Sequence, residues 1–367
     1  MVAQNIWRDL TVDGNPQRVP RNVTTMEVDI LTLHNEPAYE QYIVSEEGAL
    51  LYHSVKYRKL LKELLGCGDR YLVAAEGDRI CGVLPLMYAE RNGVRVYNSL
   101  PYYGSNGGIL SSSAPARDAL LEAYNAIASE ESTASSTVVE NPFTARHGGF
   151  KHTHTDARIS QYTALSRKFV NREDLMMQID ASGRRNVKKA IDSGVRVEID
   201  NTKLNVLCDI HQENMQVLGG LAKTSSFFSL IPRVFQAGTD FNLYVARIDG
   251  ALVAGLLLFY YNRTVEYFTP AIDATVRSLQ PLSLILVTAM SDAARMGNTR
   301  WNWGGTWKSQ EGVYQFKKKW GAVEEEYSYY TQLSDLSILH WSKERVLQEF
   351  PGFYVVPFTE LKAKGAA

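Results

Sequence analysis

The sequence predicts an α/β protein made of two tandem copies of one module, each a mixed central sheet flanked by helices. Three observations carry that expectation. The chain has 367 residues and 45% hydrophobic content, and single cores stop growing below this length. A hydrophobic hairpin pattern over 71–88 (YLVAAEGDRICGVLPLMY) recurs without a gap over 244–261 (YVARIDGALVAGLLLFYY), at the 173-position offset that separates Gly77 from Gly250. Tyr71 then matches Tyr244, Gly82 matches Gly255 and Leu84 matches Leu257, the pattern of a duplicated unit. Finally, 300–321 (RWNWGGTWKSQEGVYQFKKKWG) reads as a strand, a Gly-broken turn and a short basic helix.

Taken in order, residues 1–35 are polar and uneven, with a β-like stretch over 23–33. Ser45, followed by Glu46 and Glu47, reads as a helix start, and Leu50, Leu51, Val55, Leu60, Leu61, Leu64 and Leu65 form an apolar face running to Gly66. His53 within it reads as a partly buried helical histidine. After the first hairpin, a strand over 94–100 ends in the Pro- and Gly-rich loop 101–108, which can bring backbone N–H groups to a phosphate or carboxylate. A helix over 114–129, a small-residue linker over 132–136 and a strand over 137–140 follow. His152 and His154 alternate along a strand; with no third ligand nearby in sequence they read as a polar face rather than a zinc site. The crossover falls near 163–170. Beyond it come a basic helix carrying Arg184, Arg185, Lys188 and Lys189 and closed by Gly194, then helices over 205–218 and 227–235. The second hairpin leads to Glu266 and Tyr267, and Pro281 opens a helix over 282–296. The tail holds a short helix and a β-like stretch over 353–358.

Composition excludes several classes. Charges nearly cancel, 39 basic against 40 acidic, which argues against a general nucleic-acid coat while permitting a local basic patch. Cys67, Cys81 and Cys208 are odd in number and widely spaced, so neither a disulfide framework nor a metal site is expected, and a reducing cytoplasm fits. The start MVAQNIWRDL lacks a signal-peptide pattern, and the apolar runs 251–261 and 281–290 are too short to span a bilayer. Peripheral membrane association through a partner or a lipid-linked substrate stays open.

Within 300–321, alternation over 300–303 gives the strand, and Gly304 and Gly305 break it where a backbone can approach another group. Val313, Phe316, Lys317 and Trp320 then share one helical face, while Lys318 and Lys319 point elsewhere. A lysine held between Phe316 and Trp320 is partly desolvated and needs an anionic partner. The plainer alternative is an aromatic core with three solvated lysines.

The runs WNWGG and QEGVYQFKKKWGA resemble the C-terminal motif of the Fem family of peptidoglycan-bridge aminoacyltransferases, which closes a second acetyltransferase-like (GNAT) domain. The match lies at Gly312, Val313, Phe316, Lys317, Trp320 and Gly321, with Trp320 in place of the commoner Phe. RRNVKKA ahead of a GV-V strand is a second shared feature, and the resemblance covers roughly 45–321. It implies two tandem GNAT domains at 1–165 and 166–330, with a tail at 331–367 packing back on the first. It also implies that Lys317 stabilises negative charge at the reacting carbonyl, with Phe316 packing or stacking on the donor. Tyr102, Tyr103, Gly107 and Gly108 would line the acceptor cleft, and Arg184, Arg185 and Lys188 would meet phosphates of tRNA or of the acceptor. Tyr267, Trp303, Gly304 and Gly305 complete the expected substrate-binding set.

The leading expectation is therefore an acyltransferase that forms an amide by moving an aminoacyl group from charged tRNA to an amine on a cell-wall or envelope precursor. An acyl-CoA-dependent N-acyltransferase of envelope-polysaccharide or nucleotide-sugar biosynthesis is the alternative. A GNAT turn would cradle the coenzyme A pyrophosphate with glycines, and 276–281 (VRSLQP) has none. A non-catalytic binding module on the same fold is a third reading. No cofactor and no metal are expected; Glu140, Glu266 and Asp273 are the carboxylates considered for a general base. Monomer and dimer stay open.

Overall fold

The computed structural model describes residues 26–102, 106–145, 148–166, 168, 172–306 and 310–362. The chain opens with β1 (Met26–Ile30), α1 (Glu36–Ser45) and α2 (Val55–Leu65), then β2 (Gly68–Asp69), β3 (Leu72–Glu76), β4 (Arg79–Leu84), β5 (Met87–Arg91) and β6 (Val94–Asn98). Next come β7 (Leu110–Ser111), α3 (Ala114–Ile127), β8 (Thr133–Val139) and β9 (His154–Ala164). The remainder starts with α4 (Arg172–Met176), α5 (Ala181–Asp192), β10 (Arg196–Ile199), α6 (Leu204–Leu218), α7 (Ser225–Val234), β11 (Phe241–Ile248), β12 (Ala251–Tyr261) and β13 (Thr264–Ile272). It closes with α8 (Pro281–Arg295), β14 (Arg300–Thr306), α9 (Glu311–Lys318), β15 (Val323–Leu333) and α10 (Lys343–Glu349). Among the described residues no helix is long and apolar enough to cross a membrane.

Two sheets organise these elements. β1, β3, β4 and β7 form a four-stranded sheet, and the other strands form one of eleven, ordered β10-β11-β12-β13-β14-β9-β15-β8-β6-β5-β2. At its centre β9 pairs with β14 and with β15, and β15 pairs with β8. Each half thus places one long strand against the other half, and the two exchanged strands are bonded together at the seam. The core is also continuous across the halves: Leu60 and Leu61 of α2 belong to the same buried cluster as Phe227 and Phe228 of α7. A second cluster places α8 under β11 and β12.

Local chemistry moves several expected boundaries. Ser45 ends a helix rather than starting one, its hydroxyl donating to Tyr42 O, because Pro37 has already opened α1. Ser54 is the true N-cap of α2, accepting from Tyr57 N, and Gly66 in the left-handed region closes it. The small-residue stretch expected as a linker is mostly strand β8, buried throughout. Its hydroxyls find distant partners: Ser135 donates to Val355 O and Ser136 to the Tyr124 hydroxyl. Such satisfaction makes a buried Ser/Thr strand tolerable. The β-like stretch at 353–358 forms no strand. The Asn98 side chain holds it by donating to Tyr354 O and accepting from Tyr354 N.

The repeated hairpin is present twice, but its ungapped alignment is one residue off. Glu76 faces Arg79 in the first copy and Ile248 faces Ala251 in the second, equivalent pairs 172 positions apart. The register shift falls between Ala74 and Ala75, and between Ala246 and Arg247, again 172 apart. Gly82 therefore corresponds to Ala254, not Gly255. A one-residue slip exchanges the faces of a strand, so the matched glycines are not structural equivalents.

Candidate active site

Lys317 is the only buried residue of α9, 4% exposed. Its Nζ donates to Thr306 Oγ1 at 2.7 Å and to the carbonyls of Gly304 and Gly305 at 3.2 Å each. The Thr306 hydroxyl donates onward to Gln161 Oε1 at 2.9 Å. Burial lowers the Lys317 pKa to about 8. Among the described residues no carboxylate forms an ion pair with it, so the expected anionic partner is replaced by three neutral oxygens. Gly304, at φ +73°, turns the end of β14 so that successive carbonyls reach one amine. Lys318 is exposed, as expected, and so is Val313 at 44%, which corrects its placement on the buried face.

Around this amine the aromatic residues pack on one another. Trp303 lies 4.9 Å from Tyr267, 5.7 Å from Trp301 and 6.2 Å from Phe316, ring centre to ring centre. Its indole N–H donates to Thr163 Oγ1 at 2.9 Å. Trp301, Trp303 and Trp320 are buried, so for them the aromatic-core reading holds, and Phe316 and Tyr267 are half-buried at its rim.

Glu266 lies on the neighbouring strand. β13 and β14 are parallel and paired only through Thr264 with Arg300, Val265 with Trp301 and Glu266 with Asn302, although both strands continue. Beyond Glu266 and Asn302 they part, leaving a fork. Glu266 is 2% exposed; its Oε2 accepts from the Tyr52 hydroxyl at 2.9 Å and from Asn302 Nδ2 at 2.8 Å, while Oε1 has no hydrogen-bond partner among the described residues. Burial raises its pKa to about 7 against the opposing pull of Tyr52, Asn302 and Arg300. Asn302 Oδ1 accepts from Gly304 N at 3.0 Å, so one side chain ties the carboxyl to the backbone that holds Lys317. Of the other two carboxylates considered, Glu140 accepts from Ser328 N through Oε2, and Asp273 caps a turn through Thr275.

The remaining sequence-selected residues lie in other places. Gly107 is buried and donates its N–H to Val139 O at 3.1 Å, so that group is not free for a ligand. Gly108 packs against the backbone of Glu140 and Asn141. Tyr102 adopts φ +77°, donates its N–H to Gly352 O at 2.7 Å, and lines a cavity of about 230 Å³ with Arg158, Tyr329 and Tyr354. Tyr103 lies outside the described residues. On α5 the four cations are exposed: Arg184 donates to Ile179 O and Lys188 pairs with Asp192, while Arg185 and Lys189 have no carboxylate partner among the described residues. Sequence reading missed Tyr52, Asn302, Gln161 and Thr306, whose only local signal is polar character inside apolar segments.

Residues 181–318 match the family model described as an acetyltransferase (GNAT) domain. The solved structure of FemX superposes with a TM-score of 0.65 at 17% identity, covering 85% of this chain and 98% of that one. The chain has the Fem-like GNAT fold. The C-terminal domain (DUF2156) of a putative lysylphosphatidylglycerol synthetase from Agrobacterium fabrum is also similar, with a TM-score of 0.54 at 12% identity, covering 88% of this chain and 99% of that one. At these identities the likeness is one of fold. No curated protein matches the sequence.

In a GNAT domain the turn ahead of the helix after β13 is the place for a coenzyme A pyrophosphate, and here a 3-10 helix, Ala274–Leu279, fills it. Its amides are occupied from within. Thr275 N donates to the Asp273 carboxylate, Val276 N to Asp273 O, Gln280 N to Arg277 O and Ser283 N to Gln280 O. Pro281 has no N–H, and the Asp273 carboxylate opposes an anion there. The residues present do not fit the pyrophosphate.

Proposed function

We propose that this protein is an acyltransferase forming an amide, moving an aminoacyl group from charged tRNA to an amine on a cell-wall or envelope precursor. One observation carries the reading: a buried lysine with no carboxylate partner among the described residues, held at the end of a GNAT strand beside the point where β13 and β14 cease to pair. A cation in such a place is positioned for charge that develops during reaction rather than charge already present. The two 3.2 Å contacts of Lys317 to carbonyls are the ones an oxyanion would replace, while the shorter bond to Thr306 keeps the amine in place. One donor of that kind contributes a factor of about 10² to 10³ in rate. The filled turn at 274–279 supports tRNA over coenzyme A as donor, and Arg185 and Lys189 offer exposed charge to its backbone.

The test offers an amine-bearing envelope precursor with a mixture of charged tRNAs, or with acyl-coenzyme A thioesters, each with and without ribonuclease, and reads product by mass. A ribonuclease-sensitive aminoacyl mass increment is expected. Product from the thioester alone would overturn the donor assignment.

A further inference from the structure

At the end of β14 away from Lys317, two arginines stand side by side. Arg263 lies in the two-residue turn that joins β12 to β13, with Asn262 at φ +44° and Arg263 itself at φ +63°. In the first half, the turn leading from β5 into β6 has the same two-residue form, but its second position is Gly93, at φ +79°. Glycine takes that conformation freely, whereas a side chain there is strained. The turn alone therefore does not call for an arginine. Its Arg263 carbonyl accepts from Thr299 N at 2.9 Å and from Arg300 N at 3.3 Å, which fixes the two arginines as neighbours.

Arg300 is half-buried, its guanidinium carbon 4.1 Å from the centre of the Phe143 ring and 5.9 Å from that of Tyr162. Its side chain donates one long hydrogen bond, 3.5 Å to Thr264 Oγ1. Burial lowers its pKa against the opposing pull of Tyr162, Glu47 and Glu266. Arg58, Arg158 and Arg247 each pair with a carboxylate, but among the described residues neither Arg263 nor Arg300 does. A half-buried cation without an anion is costly. Both arginines open on one cavity of about 370 Å³, which Ser45, Glu47 and Thr299 also line. Glu47 belongs to the segment ahead of α2, so both halves of the chain contribute walls.

We propose that this cavity is a binding site for an α-amino acid, its carboxylate held between Arg263 and Arg300 and its ammonium turned to Glu47. The ring of Phe143 beneath Arg300 holds a planar guanidinium, the donor geometry that matches a carboxylate. The charges at the cavity are two guanidiniums and one carboxylate. That set suits a carboxylate with an ammonium beside it, whereas a dianionic phosphate would meet the repulsion of Glu47. The site lies apart from Lys317 and does not depend on the acyl-transfer reading. A ligand there bridges the two halves, so it should raise the melting temperature by mass action.

Glycine, acetate and inorganic phosphate, each titrated into the full chain at equal ionic strength, test the site by thermal melts and by arginine side-chain NMR. Glycine is expected to bind saturably, more tightly than either of the others, and to shift the Nε resonances of Arg263 and Arg300. Arg263→Gly gives the turn the residue its conformation favours, so the variant should fold and melt no lower than wild type, while glycine affinity falls about tenfold or more. Glu47→Gln should remove the preference for glycine over acetate. Phosphate binding more tightly than glycine would overturn the amino-acid assignment, and so would a preference that survives Glu47→Gln. Absence of saturable binding by all three, or an unchanged glycine affinity in Arg263→Gly, would overturn the site itself.

Discussion

Lys317 donates to the Thr306 hydroxyl at 2.7 Å, and this bond couples the short basic helix α9 to the end of β14. It makes one side chain both a structural tie and the proposed oxyanion donor. Lys317→Met should reduce transfer about 10² to 10³-fold. It should also cost about 1–3 kcal/mol of stability, because buried acceptors lose their donor. Thr306→Val separates the two roles: a smaller stability loss by chemical denaturation, with a rate loss only as the amine swings out of place.

Glu266 should make stability depend on pH. Its folded pKa is raised from 4.5 to about 7, so its contribution is full below 4.5 and is lost as pH rises through 7. At 1.36 kcal/mol per unit, the loss is on the order of 3 kcal/mol by pH 8. Glu266→Gln should therefore unfold at higher temperature than wild type at pH 8 and differ little at pH 5. Thermal melts at the two pH values decide it.

Gly107 is a packing glycine. A Cβ there would sit 1.8 Å from Ser99 O, a backbone atom that cannot swing aside. Gly107→Ala is expected to cost about 3 kcal/mol, the upper range for overpacking, seen as a lower denaturation midpoint. Gly250→Ala meets open space and should cost only the left-handed strain, about 1–2 kcal/mol.

Arg185 and Lys189 should matter more for tRNA than Arg184, whose guanidinium is engaged by Ile179 O. The double variant Arg185→Glu with Lys189→Glu should weaken binding and flatten the dependence of log K on log salt, while Arg184→Gln changes the slope by less than one. Filter binding across salt concentrations measures both.

Much of this architecture was legible locally. Period and turn chemistry identified α3, α6, α8 and both hairpins, because the helical and strand repeats are properties of a few neighbouring residues. The burial of Lys317 was legible for the same reason: it shares a helical face with Phe316 and Trp320. The hairpin register was not, since matched glycines reflect composition while strand pairing is set by turn and bulge. Ser45 misled because the same hydroxyl that caps one helix can bond back into another.

By itself, then, the sequence determined the two-part α/β organisation, most of the elements and the lysine worth attention. Only the tertiary structure decided that β9 and β15 bond to one another at the seam, that the hydroxyls of β8 are satisfied by Tyr124 and Val355, and that Tyr52 meets Glu266 across 214 positions. The physical reason is range. A periodic pattern records which face of an element is apolar, whereas a buried polar group is stable only beside a partner that long-range packing brings to it.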